Sequence, residues 1–163
     1  MTADSPPSFR ETYAKALDAL ARRARSTKEL ERWLADRDHV AEHIAAAIER
    51  LTALGYLDDA EFARSFTRSR VLGKGMSRYR IQGELARRGV ARDLVDAAIA
   101  DVMADEGVDE RAQVEAVAKK KLRSLAKLDA VTRKRRLYAF LSRRGYAPDL
   151  VREAVASLTR PSA

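Results

Sequence analysis

The sequence has no cysteine and few aromatic residues. Without cysteine among its 163 residues, the chain cannot form disulfide bonds, thiolate nucleophiles or cysteine-based zinc sites. Aromatic residues make up 6% of the chain, although its hydrophobic fraction of 46% is ordinary for a globular protein. We therefore expect alanine, leucine and valine to supply most of the packing.

Long hydrophobic runs are missing as well. No stretch approaches the roughly 20 apolar residues that span a bilayer. Residues 1–7 carry neither a basic nor an apolar segment, so no signal peptide is predicted. Two of the four prolines fall in this first stretch, which we predict to be disordered. These features predict a soluble protein of the cytoplasm that does not associate with membranes.

Charge of one sign is in excess. The 32 lysine and arginine residues outnumber 24 aspartate and glutamate residues, which gives a net charge of +8. Such an excess indicates a polyanionic partner, most simply nucleic acid or an anionic membrane surface. Because acidic residues are interspersed with the basic ones, the chain is not a simple polybasic tail.

Apolar residues recur with the 3.6-residue period of an α-helix, and no segment alternates like a β-strand. The predicted fold class is therefore all-α. Helix starts carry recognisable signals: Ser8 with Glu11 has the spacing of a capping box. The same spacing recurs at Ser26 with Glu29 and at Asp58 with Glu61, where Leu57 and Phe62 add a hydrophobic staple. Further starts are predicted at Asp109 and at Pro148, which suits a first helical position.

Glycines suited to the left-handed conformation mark the predicted helix ends at Gly55, Gly73, Gly89, Gly107 and Gly145. Together the starts and stops predict nine helices, over residues 9–24, 27–37, 40–54, 59–72, 78–88, 91–105, 110–126, 131–144 and 148–159. Gly83 lies inside the fifth helix, where glycine costs about 1 kcal/mol relative to alanine.

The nine helices form three copies of one unit. The eighteen residues from Leu85 match those from Leu141 at ten positions, with an offset of 56 residues. The eighteen residues from Leu34 keep the same apolar positions as those from Leu85, at an offset of 51 residues. Asp38 stands there at the position of the helix-ending Gly89. We predict three-helix repeats at 8–57, 58–107 and 108–163, after the disordered lead. Because such small units bury little alone, they are expected to stack into an elongated, curved array.

Catalytic and metal-binding patterns are weak. His39 and His43 have a spacing that can bind a metal from one helix face, but no third ligand is evident, so we predict structural roles. The Asp58-Asp59 pair is explained by its place at a helix start. The Gly73–Ser77 segment lacks P-loop spacing and follows a helix instead of a strand. The sequence predicts a protein that is not an enzyme and that uses no metal or cofactor.

The basic residues cluster in two regions, one around the central glycine turn and one in the third repeat. Helical charge runs are often only solvated faces, and cations near helix C-termini also stabilise the helix dipole. The recurrence of these groups in equivalent repeats nevertheless favours phosphate contact. The candidate binding residues are Arg64, Arg68, Arg70, Lys74, Arg78, Arg80, Arg87, Arg88, Lys119, Lys120, Lys121, Arg123, Arg133, Lys134, Arg135, Arg136, Arg143 and Arg144.

A family resemblance runs over almost the whole chain. In the middle repeat it rests on Gly55-Tyr56-Leu57-Asp58-Asp59, Phe62-Ala63, Arg70, Gly73-Lys74-Gly75, Arg78, Ile81 and Glu84-Leu85. In the first repeat it rests on Arg25-Ser26 and Glu29-Leu30, and in the third on Leu141, Arg144-Gly145-Tyr146 and Leu150. This set resembles the signature of the RecX family, bacterial regulators of the RecA recombinase that are built from tandem three-helix repeats.

The resemblance implies a modulator, usually an inhibitor, that lies in the groove of the RecA–DNA filament, and capping of the growing filament end is the alternative. A monomer is the simplest expectation for its oligomeric state. Such a protein suppresses RecA's ATP hydrolysis and strand exchange, and restrains its coprotease role in the SOS response. RecA and its DNA filament are then the expected partners, with single- and double-stranded DNA as further ones. Of the motif residues, we expect Tyr56, Leu57, Phe62, Ile81 and Leu85 to serve the core.

Two alternatives stay open at this point. A helix-turn-helix transcription factor would be a dimer with sequence-specific DNA affinity. It is less favoured because asparagine and glutamine, which read bases, are almost absent. A helical scaffold that binds only protein would leave the arginines as a solvated face.

Overall fold

The computed structural model describes residues 6–160, which form nine α-helices and no β-strand. The helices are α1 (Phe9–Arg22), α2 (Thr27–Ala35), α3 (Ala41–Ala53), α4 (Asp59–Lys74), α5 (Arg78–Arg87), α6 (Arg92–Asp105), α7 (Glu110–Ser124), α8 (Ala130–Arg143) and α9 (Pro148–Leu158). The predicted all-α class is confirmed, and each predicted helix end lies within two residues of the observed one. Residues 1–5 of the predicted disordered lead lie outside the described residues.

The predicted helix starts are built as the sequence indicates. Ser8 and Ser26 each accept a hydrogen bond from the backbone N–H of the glutamate three residues on, and the carboxylate of that glutamate accepts one from the serine backbone N–H. These two complete capping boxes satisfy N–H groups that a helix start leaves without partners. Asp58 accepts from the Glu61 N–H at 2.9 Å, and Asp109 caps α7. Pro148 occupies the first turn of α9.

Four of the five predicted glycine stops are confirmed, and one is wrong. Gly55, Gly89, Gly107 and Gly145 have φ between +59° and +78°, and Asp38 has φ +59° at the equivalent position in the first repeat. Gly73, in contrast, lies inside α4, which continues to Lys74. The left-handed residue is Gly75, with φ +55°. The Gly75 N–H donates to the Val71 carbonyl at 3.1 Å and closes the last turn of the longer helix.

The chain divides into two compact units. The first comprises the described part of residues 1–63 together with 85–95, and the second comprises 64–84 and the described part of 96–163. In the first unit α1, α2 and α3 pack on one another around the fully buried Leu30, Leu34 and Leu51. In the second, α7, α8 and α9 enclose Leu137, Leu141 and Val151, also fully buried. The helices of the predicted middle repeat contribute to both units.

One predicted core residue is exposed. Leu57, Ile81 and Leu85 are buried and Phe62 is half-buried, but the Tyr56 side chain is 63% exposed. Tyr56 directly follows left-handed Gly55, and its N–H bonds back to the Leu51 carbonyl at 2.9 Å. This turn leaves Leu57 as the residue that enters the core. The expectation for Tyr56 was therefore wrong, because the turn geometry decides which of two neighbouring apolar side chains points inward.

Candidate anion-binding cleft

A cleft of about 890 Å³ lies in the second unit, where the turn between α4 and α5 meets α7 and α8. We call it the basic cleft. It brings together six of the basic residues singled out in the sequence: Arg70, Lys74, Arg80, Lys120, Lys121 and Arg144. Its other lining residues are Gly73, Gly75, Met76, Glu84, Ala116, Val117, Ser124 and Phe140. The two basic regions of the sequence therefore share one concave surface.

The glycine turn on one wall of the cleft is held from the third repeat. The Tyr146 hydroxyl donates a hydrogen bond to the Gly75 carbonyl, and Arg144 Nη1 donates to the Lys74 carbonyl at 2.9 Å. Burial raises the pKa of Tyr146 to about 12, so its hydroxyl keeps the proton that it donates. A Cβ atom on Gly75 would lie 3.0 Å from Val117 Cγ2, so the turn packs closely on α7.

Ser77 fastens the start of α5 to the end of α8. Its side chain is fully buried, and its hydroxyl lies 2.9 Å from the Arg144 carbonyl and 2.8 Å from the Gly145 carbonyl. The same oxygen accepts from the Arg80 N–H at 3.3 Å, as a helix cap does. This contact places Arg80 and Arg144 at the same end of the cleft.

Glu84 forms an ion pair with each of two arginines of the basic cleft. Its carboxylate oxygens are 3.8 Å from Arg70 Nε and 3.7 Å from Arg80 Nε, beyond hydrogen-bonding distance. Within the described part of the chain, the buried Arg70 Nε has no hydrogen-bond partner, and its guanidinium lies over the Phe66 ring at 4.8 Å. Both guanidinium groups are thus placed beside a carboxylate and retain capacity to bind another anion.

On the opposite wall of the basic cleft, two cations lie beside the ring of Phe140. Lys121 Nζ lies 5.0 Å from the ring centroid and the Arg144 guanidinium lies 4.8 Å from it. Both distances are within the range of cation–π attraction. Lys74 and Lys120 are exposed, and among residues 6–160 neither forms an ion pair. The cleft thus combines positioned cations with two lysines whose charges face solvent.

Several other candidate residues already have partners outside the cleft. Arg68 forms ion pairs with Glu106 at 2.8 Å and Asp105 at 3.9 Å. Lys119 pairs with Glu115 at 3.6 Å along its own helix. The Arg78 guanidinium lies 3.8 Å from the Met103 sulfur.

Two candidates belong to the first unit. Arg88 pairs with Glu29 at 3.7 Å, and the Arg87 carbonyl accepts a hydrogen bond from Arg32 at 3.3 Å. The remaining candidates are in the second unit and do not line the cleft. They are Arg64, Arg123, Arg133, Lys134, Arg135, Arg136 and Arg143.

The two histidines take part in hydrogen bonds within the first unit. His39 Nδ1 lies 2.8 Å from the Thr12 hydroxyl, and His43 Nδ1 lies 2.9 Å from the Pro7 carbonyl. Over residues 6–160, no three histidine or acidic side chains are grouped as metal ligands. In the same range, no helix has the length and apolar character needed to cross a bilayer.

The site contains residues that sequence reasoning assigned no role there. Phe140 was not singled out, and Ser77 lacks the acidic residue three positions on that marks a capping box. Aligning the repeats shows Arg80 at the position of Glu29, and this change from an acidic to a basic residue could have been noticed in the sequence. Phe140 carries no comparable signal, since an aromatic residue in a helix usually indicates core.

Family models match the chain in three consecutive segments. The first three-helix domain of RecX matches residues 13–51, the second matches residues 58–99 and the third matches residues 109–155. The three segments correspond to the three predicted repeats.

Curated relatives match over most of their length. The regulatory protein RecX of Mycobacterium avium strain 104 is 39% identical over 165 residues, covering 95% of this chain and 92% of the relative. That of Pelodictyon phaeoclathratiforme is 35% identical over 148 residues, covering 91% and 89%. The crystal structure of RecX from Lactobacillus salivarius shares the fold, with a TM-score of 0.77 and 19% identity over 92% of this chain and 96% of that one. The chain therefore belongs to the RecX family of regulatory proteins.

Proposed function

We propose that this chain regulates the RecA recombinase by binding the filament that RecA forms on DNA. It lowers RecA's ATP hydrolysis, strand exchange and coprotease activity, and so restrains the SOS response. Family membership supports the regulatory role, since the relatives are named regulatory proteins. The choice of RecA as partner rests on the family resemblance of the repeat motifs.

The basic cleft is the observation that supports this proposal most, because its lining suggests which side chains bind the filament. Six basic side chains and one carboxylate, that of Glu84, line it. A surface with that charge balance attracts phosphates or an acidic protein surface, and both occur on a nucleoprotein filament. Contacts to several filament subunits at once would add through effective concentration.

The protein acts by binding and not by catalysis in this proposal. We place it in the cytoplasm, where the recombinase and the chromosome are found, and we propose that it works as a monomer. Its effect on RecA follows from opposing the subunit motions that accompany ATP turnover.

The test is RecA's DNA-dependent ATP hydrolysis with increasing amounts of this protein. We expect the rate to fall at protein concentrations below that of RecA. Unchanged hydrolysis at saturating protein would overturn the proposal. Charge reversal at the exposed Lys74 and Lys120 should weaken the effect, since these side chains hold no ion pair within residues 6–160. Lys15→Glu, on the exposed side of α1, is the matched control.

The alternatives are separated by titration against random single-stranded DNA, random duplex DNA and RecA-coated DNA. Preference for the RecA-coated DNA supports the proposal. Tight binding to one duplex sequence alone would favour a helix-turn-helix transcription factor. Indifference to all three would favour a scaffold that binds only protein.

A further inference from the structure

Two junctions in the molecule are built on one plan. In the first unit, the buried Ser26 caps α2 and its hydroxyl donates to the Arg88 carbonyl at the end of α5. In the second, the buried Ser77 caps α5 and bonds to the Arg144 carbonyl at the end of α8. The serines are 51 residues apart and the arginines 56, which are the offsets of the sequence repeat.

The first residue of each capped helix extends this correspondence. The Thr27 N–H donates to Asp59 at 2.7 Å, and the Arg78 N–H donates to Glu110 at 3.4 Å. Asp59 and Glu110 are themselves the first residues of α4 and α7. The backbone arrangement is therefore shared, and the two junctions can be compared position by position.

The first junction offsets part of its positive charge with a carboxylate. Glu29, three residues after the capping serine, lies 3.4 Å from Arg23 and 3.7 Å from Arg88. Its side chain is only 18% exposed, so both ion pairs are partly shielded from water. The carboxylate lies between two arginines and so occupies the place that an outside anion would take.

The second junction carries a cation at all three of these positions. Lys74 replaces Arg23, Arg80 replaces Glu29, and Arg144 is the equivalent of Arg88. Arg144 and Arg80 donate instead to main-chain carbonyls, those of Lys74 and Arg143. Carbonyls satisfy the N–H groups but do not cancel the charge. Glu84 is the one carboxylate in the lining of the basic cleft, and it is shared between Arg80 at 3.7 Å and Arg70 at 3.8 Å. Six cations against one carboxylate leave a positive potential that a ligand can balance.

The shape of the basic cleft restricts that ligand. A concave site of about 890 Å³ is in the size range of small-molecule sites and suits a flexible chain of phosphates. A double helix presents its phosphates on a rigid convex surface, which such a cleft cannot enclose. Phe140, the aromatic ring in the lining, already lies beside two cations. It is therefore poorly placed to stack on a base.

We propose that the basic cleft binds an oligophosphate, read by its charge and spacing and not by its base. Arg80 and Arg144 hold one phosphate where Glu29 stands in the first junction, and Lys74 and Lys120 contact the next. The source is either a free nucleoside triphosphate or the backbone of a single nucleic-acid strand. The site holds whether or not the chain acts on RecA.

The experiment is isothermal titration calorimetry of the full chain, without RecA, at low and physiological salt. The probes are inorganic tripolyphosphate, ATP without magnesium, a short oligothymidylate and orthophosphate. We expect tripolyphosphate and ATP to bind equally, and orthophosphate to bind at least about tenfold more weakly, because it reaches only one pair of cations. Binding of the oligothymidylate with neither tripolyphosphate nor ATP would identify the strand backbone as the source.

Two variants change Arg80 in the second junction to residues that resemble Glu29, its equivalent in the first junction. Arg80→Gln removes the charge, and Arg80→Glu installs the carboxylate that the first junction has, while both retain a residue that suits the capping box. We expect affinity to fall by about fivefold and by more than about tenfold, respectively. Lys15→Gln and Lys15→Glu make the same charge changes on α1 and should alter affinity by less than about twofold. Helical circular dichroism checks that every variant folds.

Absence of binding by all the phosphate probes would overturn the inference. It would also fail if the Arg80 variants lost no more affinity than the matched Lys15 variants. Both outcomes differ from failure of the proposed function, since RecA is absent from the assay. A chain that slows RecA but does not bind oligophosphate would keep the function and lose this site.

Discussion

The two junctions share their backbone contacts and differ in the charges placed around them. At the first, Glu29 lies between Arg23 and Arg88. At the second, Arg80 occupies the position of Glu29, and the one carboxylate of the basic cleft, Glu84, is shared between Arg80 and Arg70. One arrangement of helix cap and carbonyl therefore serves two purposes. The first junction stabilises the fold with a carboxylate between its two arginines, whereas the second leaves six cations and one carboxylate on a concave surface.

This difference shows why counting basic residues does not locate a binding site. Arg88 and Arg144 are equivalent in the repeat, yet one is paired with a carboxylate and the other with a carbonyl and an aromatic ring. The junctions differ in the residue three positions after the capping serine, which is Glu29 in one and Arg80 in the other, and in the number of cations that share each carboxylate. The following predictions test the shared backbone first and the differing charges last.

The largest expected effect is that of Gly89→Ala at the first junction. An added Cβ would lie 2.4 Å from Lys28 Cβ and 2.6 Å from Lys28 Cγ, at φ +75°. Because these atoms are close to the backbone and cannot move aside cheaply, we expect a loss of about 3 kcal/mol in the free energy of unfolding. Urea denaturation measures it.

Gly55→Ala is the matched control, since Gly55 has the same φ of +75° and no atom within 4 Å of an added Cβ. It should cost only the backbone strain, about 1–2 kcal/mol. Gly145→Ala at the second junction should fall between the two, because its nearest contact is Ser77 Oγ at 3.0 Å. Equal losses at Gly89 and Gly55 would contradict the close approach at the first junction.

The next effect concerns the capping serines. Ser26→Ala and Ser77→Ala each remove a cap and a hydrogen bond from a buried hydroxyl to a main-chain carbonyl, so each should lower stability by about 2 kcal/mol. Ser8→Ala is the control, because Ser8 forms the same capping box at an exposed site. Its loss should be about 1 kcal/mol. If the buried serines cost no more than Ser8, the carbonyl contacts do not contribute to stability.

Tyr146→Phe tests the contact that holds the glycine turn at the second junction. Loss of the bond to the Gly75 carbonyl should cost about 1 kcal/mol near neutral pH. The pKa of Tyr146 is raised to about 12 in the folded chain, so the folded state retains this proton above pH 10 while the unfolded state loses it. Stability should therefore fall between pH 10 and about 12.

The pH effect is measured as the difference between the unfolding free energies of the wild type and Tyr146→Phe across that range. Other groups that titrate at high pH cancel in this difference. Tyr79→Phe, at a side chain that is 76% exposed, should leave the fall unchanged. A difference that stays constant from pH 9 to pH 12 would speak against a buried donor at Tyr146.

The smallest expected effect compares the charges themselves. Glu29→Gln removes the carboxylate between two arginines and should lower stability by about 0.5–1 kcal/mol at low salt, and by less at high salt. Arg80→Gln should change stability by no more than about 0.5 kcal/mol, because the solvent-exposed contacts that it loses, to Glu84 and to the Arg143 carbonyl, are offset by relief of repulsion from neighbouring cations. Thermal unfolding at two salt concentrations measures both. A salt-dependent loss at Arg80 equal to that at Glu29 would remove the distinction between the junctions.

Helix boundaries could be predicted closely because their signals are local. The capping boxes at Ser8 and Ser26 join residues three apart, and the left-handed ends at Gly55 and Gly89 join residues three to five apart. Gly73 and Gly75 show the limit, because two glycines in one turn supply the same local signal. Only the packing of Gly75 against Val117 and Tyr146 distinguishes them.

The all-α class, the three repeats and the excess of positive charge could be read from the sequence alone, since periodicity, self-similarity and composition are properties of a linear chain. The convergence of six of the eighteen candidate cations in one cleft, in contrast, depends on the packing of helices. The decisive contacts join residues far apart, as between Arg144 and Lys74, which are separated by 70 positions. Contacts between residues so far apart in the sequence depend on how the helices pack. Helix packing also determines whether an acidic side chain lies beside a given cation.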